Sequence, residues 1–255
     1  MSWDPSQYLK FSGIRFRPAI DLLNRVPQAT PKLVYDLGCG TGNVTRALVE
    51  RWPDAEVIGI DSSPEMLAGA RDAVPGARFE QADLNTWNPA SPPDVIYSNA
   101  ALQWLDGHDK LFPSLMAKLA PGGTLAVQMP RNHQAPSHTS MEKAAGDGPW
   151  ESKLKPVLRT SPTAPPEVYY DILTPHAAQL DIWEQVYLQV LEGDNPVVQF
   201  TKGSALKPLL DTLKGEEKSG FETRYAELIR AAYPPRPDGR TLFPFRRLFI
   251  IAQKA

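Results

Sequence analysis

Val34-Tyr35-Asp36-Leu37-Gly38-Cys39-Gly40-Thr41-Gly42 decides the fold: an apolar run breaks into three alternating glycines and opens into Asn43-Val44-Thr45-Arg46-Ala47-Leu48. Such a run reads as a buried parallel strand, and the glycines let its tip turn hard and bring bare backbone against a ligand. Gly38 permits the tight turn, Gly40 a close approach of ligand to backbone, and Gly42 close packing of the following helix on the sheet. The G-x-G-x-G spacing differs from the G-x-G-x-x-G of dinucleotide cradles and favours a smaller nucleoside ligand.

Two carboxylates sharpen that reading. Val57-Ile58-Gly59-Ile60-Asp61 ends a second apolar run, and Phe79-Glu80-Gln81-Ala82-Asp83-Leu84 ends a third. Asp61, at a strand tip roughly twenty residues past the glycines, is placed to accept both ribose hydroxyls. Asp83 can accept from the exocyclic amine of an adenine, with Leu84 as an apolar face for the ring. No Lys-Ser/Thr pair follows Gly42, so this is not a phosphate loop. Glycine loop, Asp61, Asp83 and Leu84, in this order, resemble the signature of class I S-adenosylmethionine-dependent methyltransferases. Asp36 then has two readings: a ligand of the loop amides or the methionine ammonium, or a carboxylate that stabilises the turn.

Composition bounds the rest. A chain of 255 residues can bury one substantial core. The net charge is −2 and no run of Lys or Arg is long enough to track a phosphate backbone, so nucleic acid is not an expected partner. The longest apolar segments are strand-sized and Met1-Ser2-Trp3-Asp4-Pro5 lacks a signal-peptide pattern, from which no membrane association and a cytoplasmic location are expected. The single cysteine, Cys39, excludes an internal disulfide, and His108, His133, His138 and His176 show no zinc-ligand spacing, so no metal is expected.

Along the chain, Tyr8 to Val26 has helical periodicity, with Pro18 admissible only at a helix start or break. Helices are expected from the glycine loop to about Trp52, from Pro64 (capped by Ser62 and Ser63) to about Ala73, and from His108 to Leu119. They alternate with strands Glu56–Ile60, Ala77–Gln81, Asp94–Asn99 and Thr124–Met129. A repeated βα unit means a doubly wound parallel sheet; the resemblance to class I methyltransferases implies an α/β fold of seven mostly parallel strands with the last antiparallel. Ligands bind such sheets at the carboxyl ends of the strands, where Asn99 and Gln128 join the glycine loop, Asp61 and Asp83.

Beyond Pro130 the rhythm breaks. Arg131 to Pro166 reads as an irregular insertion over the same edge, a binding loop or lid. A short helix is expected at Glu167–Ala177, a sixth strand through Leu180–Trp183 and Val186–Val190, and a second insertion from Gly193 to Leu242 with helices around Ser204–Leu213 and Glu216–Tyr233. The whole is read as one domain over 1–255, with an N-terminal helical segment 1–30 and cap insertions at about 131–166 and 193–242. Phe245 to Ala252 closes the chain as a strand. If it pairs antiparallel, as the last strand of this fold does, its start lies at the ligand edge and brings Arg246 and Arg247 there; the competing reading is solvated charge on a sheet edge.

Over nearly its whole length the chain resembles the bacterial trans-aconitate methyltransferases. The resemblance rests on Trp3, Tyr8, Phe11, Arg15, Arg17, Pro18 and Ala19, on Asp36 to Gly40, Gly59 to Pro64, Asn99 with Leu102 to Leu105, and Leu125 to Pro130. It continues through Pro136 and His138, Tyr169 to Leu173, Asp181 to Trp183 and Arg247 to Ile250. It implies transfer of a methyl group from S-adenosylmethionine to one carboxylate of trans-aconitate, leaving S-adenosylhomocysteine. It adds Ser62, Asn99, Trp104 and Arg17 to the cofactor set, Trp104 as a wall for the sulfonium or adenine and Arg17 toward the methionine carboxylate or, alternatively, as a further grip on the substrate. For a small anionic carboxylic acid, the substrate candidates are Arg15, Arg246 and Arg247 as bidentate grips, with Tyr8, Tyr169, Tyr170, His138 and Gln128 as neutral donors. Each tyrosine, and Trp104, has the alternative of a core aromatic. A carboxylate is already anionic at neutral pH, so no catalytic base is expected. A methyltransferase for another small metabolite, and a non-catalytic S-adenosylmethionine-binding module, are the competing functions; the oligomeric state is open.

Overall fold

The computed structural model describes residues 12–159 and 163–255; Tyr8 and the side chain of Arg15 lie outside what is described. The apolar runs become strands buried on both faces, as parallel strands covered by helices must be. Strands β1 (Leu33–Leu37), β2 (Glu56–Asp61), β3 (Arg78–Gln81), β4 (Val95–Asn99), β5 (Thr124–Pro130), β6 (Ala177–Leu191) and β7 (Thr241–Lys254) form one sheet in the order β3-β2-β1-β4-β5-β7-β6. β1, β2, β3, β4 and β5 pair in parallel with their neighbours, and β7 runs antiparallel to β5. The strand order reverses at β1, between β2 on one side and β4 on the other, which sets the glycine loop at the switch point.

Helices α1 (Ser12–Leu23), α2 (Asn43–Arg51), α3 (Pro64–Ala73) and α4 (His108–Lys118) belong to this βα part of the chain. Ser63 caps α3, its hydroxyl accepting from the Met66 amide at 3.2 Å, and Pro64 takes the first helical position, where a missing N–H costs nothing. Leu37, Ile60, Ile96, Leu125, Val127, Phe112, Leu248 and Ile250 lie in the core.

The chain divides into two compact units. A sheet unit takes Arg15–Pro130, Pro162–Gln185 and Arg247–Ala255; a helical unit takes Arg131–Ser161 and Val186–Arg246. The segments expected as cap insertions supply most of the helical unit, which has a core of its own around Trp150, Phe200, Phe221, Tyr225, Phe243 and Phe245.

Several elements depart from expectation. Pro18 sits inside α1, buried, where packing outweighs the lost amide. The segment after Pro130 is not irregular: it holds α5 (Pro136–Gly146) and α6 (Glu151–Leu154). The inward stripe of α5 is Ser137, Ser140, Met141, Ala144 and Ala145, residues too small and polar to show as periodicity. α7 runs only from Pro166 to Leu173, because Pro175 has no amide to continue it. β6 is unbroken where a pause was expected, since an edge strand carries Glu184 and Gln185 without interrupting its backbone pairing. α8 (Pro196–Lys202) gave no sequence signal because it is buried almost all round; α9 (Lys207–Thr212) and α10 (Gly215–Ala232) fall where helices were expected.

Candidate active site

The three loop glycines have positive φ, 76° at Gly38, 55° at Gly40 and 79° at Gly42, the left-handed region that side chains disfavour. They serve different ends. A Cβ on Gly38 would lie 2.2 Å from the Ala101 Cβ, so the loop presses on the segment after β4. A Cβ on Gly40 would meet nothing within 4 Å, which leaves space open above bare backbone. At Gly42 it would meet Ala70 and Val74 at 3.2 Å, so this glycine admits α3 and not, as expected, the helix that follows it.

Asp61 clamps the loop. One carboxylate oxygen accepts from the Gly40 amide and the other from the Ser63 amide, both at 2.9 Å, so each keeps lone-pair capacity for a ligand hydroxyl. Asp83 accepts from the backbone amide and side-chain amide of Asn85 at 2.9 and 2.8 Å and remains exposed; Leu84 beside it is half-buried. Asp36 turns inward and is buried. Thr45 of α2 donates to it at 2.6 Å, and burial pushes its carboxyl up to about 7 against the lowering effect of that bond. Cys39 is buried and burial pushes its thiol up, the state of an inert small hydrophobe.

The other half of the edge is built differently. Asn99 ends β4 and is paired in register with Gln128 of β5. The Asn99 Oδ1 is buried and, among the described residues, accepts no hydrogen bond. Gln128 is fully buried; its Oε1 accepts from Arg247 Nη1 at 3.2 Å, which orients the amide and leaves Nε2 as a buried donor with no partner among the described residues. Arg247 opens the β7 segment opposite Pro130 and is 3% exposed, whereas Arg246, one residue earlier, is exposed. The stretch of β7 paired with β5 therefore starts at the carboxyl end of β5, and of the two arginines only Arg246 is exposed.

Other candidates disperse. Tyr169 is fully buried; its hydroxyl accepts from the Ala164 amide at 3.3 Å and lies 2.7 Å from His108 Nδ1, which makes it a core residue and not a ligand donor. Tyr170 is 56% exposed. Ser62 is exposed, and its carbonyl, not its hydroxyl, receives Gln81 at 3.1 Å. Arg17 lies 3.8 Å from Asp21 on the exposed side of α1. Trp104 is half-buried on a 3-10 turn, Leu102–Trp104. His138 belongs to the helical unit, 3.1 Å from the Ser137 hydroxyl.

Comparison with known proteins gives this arrangement a family. A family model described as a methyltransferase domain matches residues 34–123. A trans-aconitate 2-methyltransferase of Azoarcus sp. strain BH72 is 49% identical over 251 residues, 98% of either chain; one of Methylobacterium nodulans is 47% identical over 253 residues, 99% of this chain and 98% of its own. The chain belongs to the trans-aconitate 2-methyltransferase family. Its cofactor is accordingly S-adenosylmethionine. Among solved structures, the YcgJ protein of Bacillus subtilis aligns with a TM-score of 0.59 at 15% identity, over 93% of this chain and 98% of its own. Phosphoethanolamine N-methyltransferase 2 of Haemonchus contortus, solved with S-adenosylhomocysteine, aligns at 0.58 and 16%, over 94% and 53%. At those identities the likeness is one of fold.

The residues fit the cofactor by the open space over Gly40 and the unmatched acceptor on Asn99. Two residues of the family fold escaped sequence reasoning. Ala100 holds φ 54°, costly for a residue with a Cβ, and nothing about an alanine signals it. His108 lies 3.0 Å from the Leu102 carbonyl through Nε2, bracing the turn that bears Trp104; only its place just after Gly107 hinted at structure. Among the described residues no helix is long and apolar enough to cross a membrane.

Proposed function

We propose that this chain transfers a methyl group from S-adenosylmethionine to one carboxylate of trans-aconitate, or of a closely related small polycarboxylate, giving a monomethyl ester. The observation that carries the reading is the buried Arg247 held by Gln128 at the carboxyl ends of β4 and β5, a planar cation beside a buried amide donor. A guanidinium and an N–H side by side suit an anionic planar acceptor and suit a neutral one poorly. The names of the relatives agree with it.

S-adenosylmethionine, when bound, supplies a methyl group on a sulfonium that leaves as a neutral thioether. Asp61 would accept the ribose hydroxyls while keeping its amide partners, Asp83 the adenine amine with Leu84 against the ring, and Asn99 Oδ1 a cofactor N–H; Trp104 would wall one side. Asp36 works behind the loop, anchoring Thr45 and with it the start of α2. Arg247 and the Gln128 Nε2 would fix the acid and offset its lost hydration. Because the acceptor is anionic at neutral pH, the side chains orient and exclude water and need remove no proton.

The test is incubation with methyl-labelled cofactor and a panel of di- and tricarboxylic acids. Base-labile label in product, greatest with trans-aconitate, is the expected result. Cofactor binding at one per chain with no labelled ester from any acid would refute the acceptor while leaving the family intact.

A further inference from the structure

The backbone just past β4 is strained, and strain of this kind persists only where the surroundings hold it. Ala100, with its φ of 54°, donates its amide to the Gln128 carbonyl at 2.9 Å and receives Gln103 Nε2 on its own carbonyl at 2.7 Å, while Ala101 lies against Gly38. Those contacts hold Ala100 and Ala101. The turn that follows, Leu102–Trp104, is held from farther along the chain: its Leu102 carbonyl accepts from the Leu105 amide at 3.0 Å and has His108 Nε2 at 3.0 Å. A carbonyl has no proton to give, so His108 Nε2 carries the proton and donates it.

In the neutral ring Nδ1 is then unprotonated, and the Tyr169 hydroxyl, 2.7 Å away, donates to it. The same hydroxyl accepts from the Ala164 amide at 3.3 Å. The bonds therefore run in one direction, from the Ala164 N–H through Tyr169 and His108 to the Leu102 carbonyl. Every member belongs to the sheet unit. Phe112, fully buried like Tyr169, stands 5.2 Å from the imidazole and 5.0 Å from the phenol, centroid to centroid, which limits how either ring can turn.

We infer that His108 and Tyr169 are positioning residues for the cofactor: Tyr169 keeps the imidazole in the tautomer with its proton on Nε2, and that N–H holds the turn bearing Trp104 in its binding position. The cofactor half of this inference rests on the reading above of Asn99 and Trp104 as cofactor contacts. It goes beyond a histidine that merely stabilises the core, because the two ring nitrogens have separate tasks: Nε2 holds the turn, and Nδ1 takes the proton that fixes the tautomer. A loss at Nε2 should reach the cofactor, whereas a loss at Nδ1 reaches it only through the tautomer.

The two nitrogens can be tested apart. The amide nitrogen of a glutamine is as many bonds from Cβ as Nε2, and the amide oxygen of an asparagine as many as Nδ1. His108→Gln therefore keeps a donor for Leu102, and His108→Asn keeps an acceptor for Tyr169. The measurements are calorimetry with S-adenosylhomocysteine and denaturant unfolding on wild type, both variants, Tyr169→Phe and Trp104→Ala, with nitrogen-15 NMR of the imidazoles. Wild-type His108 should show a protonated Nε2 and an unprotonated Nδ1. His108→Asn should bind S-adenosylhomocysteine about tenfold more weakly, since without its bond the turn occupies the binding position about a tenth of the time. His108→Gln should stay within about threefold of wild type although both variants lose similar stability, and Tyr169→Phe, which leaves the Leu102 carbonyl alone to select the tautomer, should weaken binding by about threefold. Equal cofactor affinity in the two His108 variants overturns the positioning role, and a proton on Nδ1 in wild type overturns the direction of the bonds. Unchanged affinity in Tyr169→Phe overturns the part given to Tyr169, and this variant decides if His108→Asn fails to fold. Trp104→Ala with unchanged affinity would sink the reading of the turn as a cofactor contact, while the nitrogen shifts judge the hydrogen bonds independently.

Discussion

The two halves of the ligand edge handle their polar groups in opposite ways. On the side of β1, β2 and β3, Asp36, Asp61 and Asp83 are each engaged by the chain itself, through Thr45, the Gly40 and Ser63 amides, and Asn85. On the side of β4 and β5, Asn99 Oδ1 and Gln128 Nε2 are buried and matched by no described residue. A carboxylate that holds backbone contributes to folding and to binding at once. A buried amide without a partner opposes folding until a ligand arrives. The difference teaches that the polar groups of the first half are built into the fold, while those of the second are kept at the expense of stability.

The largest effect should come from Arg247→Lys. The charge remains but the planar fork that meets Gln128 is lost, and kcat/KM for the acid should fall by an amount equivalent to about 2–5 kcal/mol while calorimetric cofactor affinity holds. Cofactor affinity falling in parallel would erase the contrast between the halves.

Asp36 yields a pH test of the first half. Its folded pKa of about 7 lies above the ordinary carboxylate value, so the native state binds more protons than the unfolded chain in between. Its contribution to stability is fully present below about pH 4 and is lost as pH rises through about 7, on the order of a few kcal/mol. His133 and His138, pushed below the ordinary histidine value, act with the opposite sign over an overlapping range. The clean quantity is therefore the difference between Asp36→Asn and wild type in chemical denaturation, which should grow in favour of the variant from pH 4 to 7. A flat difference would place Asp36 in a more solvated setting.

Asp61→Ala should weaken cofactor binding by about 1–3 kcal/mol and lower the melting temperature as well, because two backbone amides lose their acceptor. Weakened binding without thermal loss would separate the roles argued here to be joined. Asn99→Leu gives the smallest shift and the most telling one. Cofactor affinity should drop while stability holds or rises by up to about 1 kcal/mol, since a buried acceptor without a partner disappears. A stability loss comparable to that of Asp61→Ala would mean Asn99 is held in the same way.

The same division governs what could be read from the chain. Loop, strands and strand tips were legible because apolar runs ending in Gly38 to Gly42, Asp61 or Asn99 carry local signals, and the antiparallel last strand that the fold resemblance implied placed Arg247. What escaped depends on contacts remote in sequence. Tyr169 looked like a ligand donor until Ala164 and His108 were seen to engage its hydroxyl. α5 hid its inward stripe in serine and alanine, α8 is seven residues long with only Gln199 and Lys202 outside its buried set, and the strain at Ala100 has no residue-type signature.

The contact between Gly38 and Ala101 constrains how this enzyme can vary. Two separate barriers guard position 38: the 2.2 Å approach to the Ala101 Cβ, and a backbone φ of 76°. Ala101→Gly would remove the first and leave the second untouched. In a mutational scan Gly38 would therefore stay intolerant even in a background chosen to make room for it, whereas position 101 would accept only what the glycine's bare α-carbon leaves space for.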